Sequence, residues 1–181
     1  MELDQATTWL DARPLSGVIV ELGGGTGWWS SLLAGKGELW ILEAEEAALD
    51  QARRRLVAHG LMAHLHVRDP LALPDRKVDA VFAAHFLSAA PDDASLRPRL
   101  ATVRDWLKPG GTFVFLEARP EGQPGSPEAV EGPAGLLWPR RPEVLADALH
   151  EAGLAPLELA ETRSAFVMGQ AMTRAPAGRG P

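Results

Sequence analysis

The chain has 181 residues, a length that suits one domain with a substantial core. Hydrophobic residues make up 46% and charged residues 23%, the balance of an ordinary globular protein rather than a disordered or fibrous one. There is no cysteine, which excludes disulfides, thiolate catalysis and cysteine-ligated metals, and the net charge of −6 counts against nucleic acid as a partner.

No run of about 18 apolar residues occurs, so no membrane span is expected. The acidic start Met1-Glu2-Leu3-Asp4 leads into no apolar run of signal-peptide type, and a cytoplasmic location is the default expectation. Arg53-Arg54-Arg55 is the densest basic cluster. It falls on an expected helix, where consecutive residues point in different directions, and reads as a solvated face.

Leu3, Ala6 and Leu10 share one face of an opening helix, which Arg13-Pro14 ends. Gly17 to Leu22 is a compact β-branched run, the first strand. After a glycine loop, Trp28 to Ala34 reads as a short helix stopped at Gly35. The second strand is Glu38–Glu43, followed by a helix over 44–59 with Gly60 as terminator. His64–Val67 and Val78–Ala83 are the third and fourth strands. A helix over 94–107 gives way at Lys108-Pro109-Gly110-Gly111 to the fifth strand, Thr112–Glu117. In 119–139, nine of 21 residues are proline or glycine, which predicts a loop or lid. A helix over 142–152 and strands near 156–161 and 164–171, expected as a hairpin, complete one domain over 1–173. The tail, 174–181, is expected to be disordered. Short apolar runs alternating with helices predict an α/β sheet.

Glu21-Leu22-Gly23-Gly24-Gly25-Thr26-Gly27 joins the first strand to a helix, where nucleotides bind in open α/β sheets. Glycine lets the backbone lie against a ligand and adopt positive φ. A dinucleotide fingerprint needs G-x-G-x-x-G, and the sixth position from Gly23 is Trp28. The spacing present is G-x-G-x-G, which counts against a nicotinamide-dependent oxidoreductase.

With this loop the chain resembles the class I S-adenosylmethionine (SAM)-dependent methyltransferases. Glu43 ends the second strand, where the family places a carboxylate on both ribose hydroxyls, and such a group has the acceptors for a diol. Asp69, before Pro70, matches the family's acidic residue near the adenine amino group. Trp106 to Gly111 looks like its turn before the fifth strand, and Arg141 to Leu154 like its last helix and the turn after it. The likeness covers about residues 15–171.

The resemblance implies a three-layer, doubly wound sheet of seven mostly parallel strands, ordered 3-2-1-4-5-7-6, with the last strand antiparallel and helices on both faces. It implies methyl transfer from SAM, leaving S-adenosylhomocysteine, with a SAM-binding subunit lacking catalysis as the alternative. Donor contacts are expected from Glu21, Gly23, Gly24, Gly25, Gly27, Glu43, Ala44, Asp69, Pro70 and His85. Glu21 would reach the SAM ammonium. His85 follows the fourth strand and is the candidate base, having a near-neutral pKa. Trp28, Phe86, Glu117 and Arg119 are candidate acceptor contacts. One of Trp28 and Trp29 packs inward while the other lines the site, or both pack inward.

No metal is expected. The chain lacks the clustered acids of magnesium-dependent relatives, and His59, His64 and His66 lie at or near an outer strand. It also lacks the Asn/Asp-Pro-Pro-aromatic element of nucleic-acid amino-methylating enzymes. The segment from Asp79 to Glu117 most resembles the quinone- and small-molecule-methylating branch, so a small or lipid-like acceptor is expected. Few residues precede the first strand to cap an acceptor pocket, so its closure is expected from the 119–139 segment, from the partner subunit of a homodimer, or not at all.

Overall fold

In a computed structural model, residues 2–120, 129–133, 135–163 and 165–174 are described. The elements in chain order are α1 (Glu2–Asp11), β1 (Val18–Leu22), α2 (Ser30–Ala34), β2 (Glu38–Glu43), α3 (Glu46–Ala58), β3 (His64–Val67) and β4 (Val78–Ala84). There follow α4 (Asp93–Trp106), β5 (Leu107–Ala118), β6 (Val130–Gly132), β7 (Gly135–Leu137), α5 (Pro142–Glu151), β8 (Leu154–Glu161) and β9 (Phe166–Thr173).

Seven strands form one sheet in the order β3-β2-β1-β4-β5-β9-β8. The first five are parallel, and β9 runs antiparallel to both β5 and β8. With β8 and β9 as the sixth and seventh principal strands, this is the expected architecture. β1 and β4 are largely apolar, interrupted only by Glu21 and Asp79, because helices cover both faces of a parallel sheet. One buried cluster joins Val20, Leu22, Val81 and Phe113 to α4 and α5. The other joins Ile19, Ile41 and Phe82 to α1, α2 and α3.

Two elements differ from expectation. β5 begins at Leu107, directly after α4, so Lys108-Pro109-Gly110-Gly111 is an irregular strand start rather than a separate turn. Lys108 Nζ donates to Asp79 Oδ1 at 2.7 Å, and Val18 N donates to Asp79 Oδ2 at 2.9 Å, joining the starts of three central strands. The segment expected as a loop or lid carries a short antiparallel hairpin, β6–β7. Residues 121–128 and 134, and 175–181 of the expected tail, lie outside the described residues. Among the described residues no helix is long and apolar enough to cross a membrane.

Candidate active site

The carboxyl ends of β1, β2 and β4 open onto a cavity of about 650 Å³ with a largely apolar wall. Its floor is the glycine loop after β1. Gly23 and Gly24 donate their N–H groups to Leu42 O at 2.8 and 3.4 Å, and Gly27 N closes the turn on Gly24 O at 3.0 Å. Gly25 has φ +52°, and a Cβ built there would meet nothing within 4 Å. Its missing side chain leaves room against the loop.

Glu43, at the end of β2, ties the loop in place. Its Oε2 accepts from Gly25 N at 2.8 Å, while Oε1 accepts from Ala44 N at 2.7 Å and Glu45 N at 3.1 Å. The carboxylate is thereby oriented before any ligand arrives. Asp69 closes a turn by accepting from Leu71 N at 2.8 Å through Oδ1.

His85, after β4, is the one non-glycine residue with positive φ among the described residues, at 57°. That conformation is uncommon for a side chain with a Cβ, and such strain concentrates at functional sites. His85 N donates to Leu116 O at 2.8 Å, and its ring lies 5.9 Å from that of Phe166. Nδ1 is buried without a hydrogen-bond partner, and burial pushes the imidazole pKa below its ordinary 6.5. The ring is therefore neutral at pH 7 and able to take a proton.

Of the residues expected to contact donor or acceptor, Gly23, Gly24, Gly25, Glu43, Asp69, Pro70, His85, Trp28 and Phe86 share this wall. Glu21, Gly27, Ala44, Glu117 and Arg119 stand off it. Glu21 lies behind Gly24, buried, with Ser30 Oγ donating to its Oε2 at 2.5 Å. Burial, opposed by the Ser30 hydroxyl and reinforced by Glu43, pushes its pKa from 4.5 to about 8. Gly27, at φ +76°, lets α3 approach: a Cβ there would lie 2.7 Å from Ala52 Cβ. Ala44 is exposed. Arg119 is engaged with Glu161, at 3.1 Å, and with Arg163 O.

Glu117 was expected as a substrate contact, but the structure places it behind the loop that carries His85. Its Oε1 accepts from Leu87 N at 2.8 Å, and Oε2 from Ser88 N at 2.8 Å and Ser88 Oγ at 2.6 Å. Burial outweighs these donors and pushes its pKa from 4.5 to about 7. Arg140 holds the same loop by donating to Leu87 O at 3.2 Å and Ala90 O at 2.8 Å. Sequence reasoning missed Arg140, and nothing local in the sequence marks it.

The tryptophan pair divides. Trp29 is buried edge-on to Phe82, whereas Trp28 is 53% exposed at the rim, so the reading in which both pack inward is overturned. Arg55 is not merely solvated: its guanidinium lies 5.1 Å from the Trp28 ring centroid and its Nε donates to Thr26 O at 3.3 Å. Leu3, Leu136, Leu137 and Phe166 also line the cavity, although they lie far apart in sequence. His64 and His66 pack on Trp40 at 4.5 and 4.8 Å, away from this wall.

Residues 19–111, just over half the chain, match the family model described as "Methyltransferase domain". A dimethylglycine N-methyltransferase of Parasynechococcus marenigrum (strain WH8102) is 32% identical over 151 residues, covering 80% of this chain and 48% of that protein. The chain thus spans about half the length of this curated relative. A solved complex of DhpI with S-adenosylhomocysteine superposes with a TM-score of 0.78 at 26% identity, covering 97% of this chain and 85% of that one. The DhpI-SAM-HEP complex gives 0.77 at 25% identity, covering 93% and 84%. The sheet order, the loop at its switch point and these matches converge: the chain belongs to the methyltransferase domain family, of the class I SAM-dependent type.

Proposed function

We propose that this chain transfers a methyl group from SAM to a small or lipid-like acceptor. The observation that carries the reading is the Gly25–Glu43 hydrogen bond, which sets an acceptor-rich carboxylate beside an open glycine loop on the wall of one cavity. The residues fit the donor. Glu43 keeps an acceptor site on Oε2 for a ribose hydroxyl beyond its three backbone donors, Asp69 has a carboxylate for an exocyclic amine, and Gly23 to Gly25 admit a close approach. Glu21 backs the loop with a carboxyl that an ammonium brought nearby would ionise.

SAM, when bound, supplies a methyl group already activated on a sulfonium. The chain then has to hold the acceptor in line and exclude water, and the apolar wall serves both ends. Where the acceptor is a hydroxyl or amine, His85 on the cavity wall takes the proton it sheds. Glu117 and Arg140 hold the loop that positions this ring. The apolar cavity, and a relative named for dimethylglycine, support a small acceptor.

Calorimetric and thermal-shift titrations with SAM, S-adenosylhomocysteine and NAD test the donor. A ligand at about 100 times its dissociation constant should stabilise the fold by roughly 2.7 kcal/mol. A response to NAD with none to either sulfur ligand would refute the reading. His85→Asn, a residue that tolerates left-handed backbone, should lose turnover of a hydroxyl acceptor while keeping S-adenosylhomocysteine affinity. Unchanged turnover removes His85 as base.

A further inference from the structure

Arg99, on α4, is a charged side chain on the cavity wall whose place the fold does not explain. Its guanidinium carbon lies 5.0 Å from the centroid of the Phe86 ring. Nε is buried without a hydrogen-bond partner. Burial lowers its pKa, and Glu117 and Asp69 partly oppose that, yet neither acid forms an ion pair with it among the described residues. A half-buried guanidinium without an acceptor carries a desolvation cost that a ligand group can offset.

The surroundings narrow what that group is. Asp69 stands on the same wall, and three of the backbone donors beside it are spent. Arg68 N donates to Glu43 O at 2.8 Å, Ala72 N to Asp69 O at 2.9 Å, and Leu71 N to the Asp69 side chain at 2.8 Å. Pro70 has no N–H. Beyond Phe86, the amides of Leu87 and Ser88 are taken by Glu117. Among its side chains this stretch therefore presents one carboxylate acceptor, Asp69, and one cationic donor, Arg99, with no ion pair between them among the described residues. Adenine offers the complement, an exocyclic amine beside an unprotonated ring nitrogen. A 6-oxopurine presents the reverse, a carbonyl beside an N–H. A sulfonium, being cationic, is repelled by Arg99, which marks this stretch as the base end of the cavity.

Resting on the proposal that SAM is the donor, we infer that Arg99 and Asp69 together select its base. Asp69 accepts from the adenine amino group, and Arg99 donates to the neighbouring ring nitrogen.

The test is calorimetric titration of S-adenosylhomocysteine and S-inosylhomocysteine into the wild type, Arg99→Met and Arg99→Lys, with thermal melts to verify folding. The wild type should favour the adenosyl ligand. Arg99→Met, which keeps the length and loses the donors, should bind it roughly 10- to 100-fold more weakly, the range of a charge-assisted hydrogen bond. Its affinity for the inosyl ligand should hold or rise, so that discrimination collapses, and Arg99→Lys should recover part of it. Wild-type affinity of Arg99→Met for S-adenosylhomocysteine overturns the inference and leaves the donor reading intact. An equal loss for both ligands also overturns it, because such a contact does not read the base edge. If the wild type binds neither ligand, the donor reading falls and the inference with it.

Discussion

Replacing Glu117 by Gln should flatten the dependence of stability on pH. In the folded chain this carboxyl is buried and its pKa stands at about 7, against an ordinary 4.5. An acid whose pKa is raised by folding binds more protons folded than unfolded between those values, so stability falls as pH rises through that window. At 1.36 kcal/mol per pH unit, the ionised folded state is disfavoured by roughly 3 kcal/mol relative to the protonated one. Between pH 5 and pH 8 the loss amounts to about 2–3 kcal/mol. A glutamine side chain cannot ionise. It has a cost of its own, on the order of 1–3 kcal/mol, because its NH₂ faces donors where an oxygen accepted from Ser88, but that cost does not vary with pH. The assay is denaturant unfolding of both proteins at intervals from pH 5 to pH 8. The wild-type curve minus the Glu117→Gln curve isolates this group, since Glu21 and His85 titrate in both. The wild type should lose about 2–3 kcal/mol relative to the variant over that range. Parallel curves would show that the three donors keep the carboxylate ionised and that burial does not dominate.

Gly27→Ala should destabilise the fold by at least about 2 kcal/mol, since it adds a left-handed penalty to a Cβ set 2.8 Å from Ala52 Cα. Gly25→Ala meets open space and should cost roughly 1 kcal/mol while weakening S-adenosylhomocysteine binding. Equal melting temperatures for the two would contradict these separate roles. Glu43→Ala removes the acceptor of Gly25 N–H together with the proposed ribose contact. It should weaken S-adenosylhomocysteine binding about 10- to 100-fold by calorimetry, and an unchanged affinity would reject the ribose assignment.

Chain-local signals were enough for the principal strands and helices. A buried parallel strand reads as a near-continuous apolar run, and a glycine loop between strand and helix needs only adjacent residues to declare itself. Gly23 to Gly25, Glu43 and Asp69 were readable for the same reason: each sits at or just beyond a strand end that the apolar pattern already marks. The sheet order required the family resemblance, because periodicity does not say which strands pair. Side chains whose partners are remote in sequence were decided only by tertiary packing. Glu117 reaches Leu87 and Ser88 across neighbouring strands, and Arg140 reaches Leu87 and Ala90 from beyond the β6–β7 hairpin. The same holds for the division of Trp28 from Trp29, the hairpin within 119–139, and Arg99 on the cavity wall. In each case a position that is polar, aromatic or glycine-rich fits several environments equally well. What selects one is the burial and hydrogen bonding supplied by residues distant in the chain.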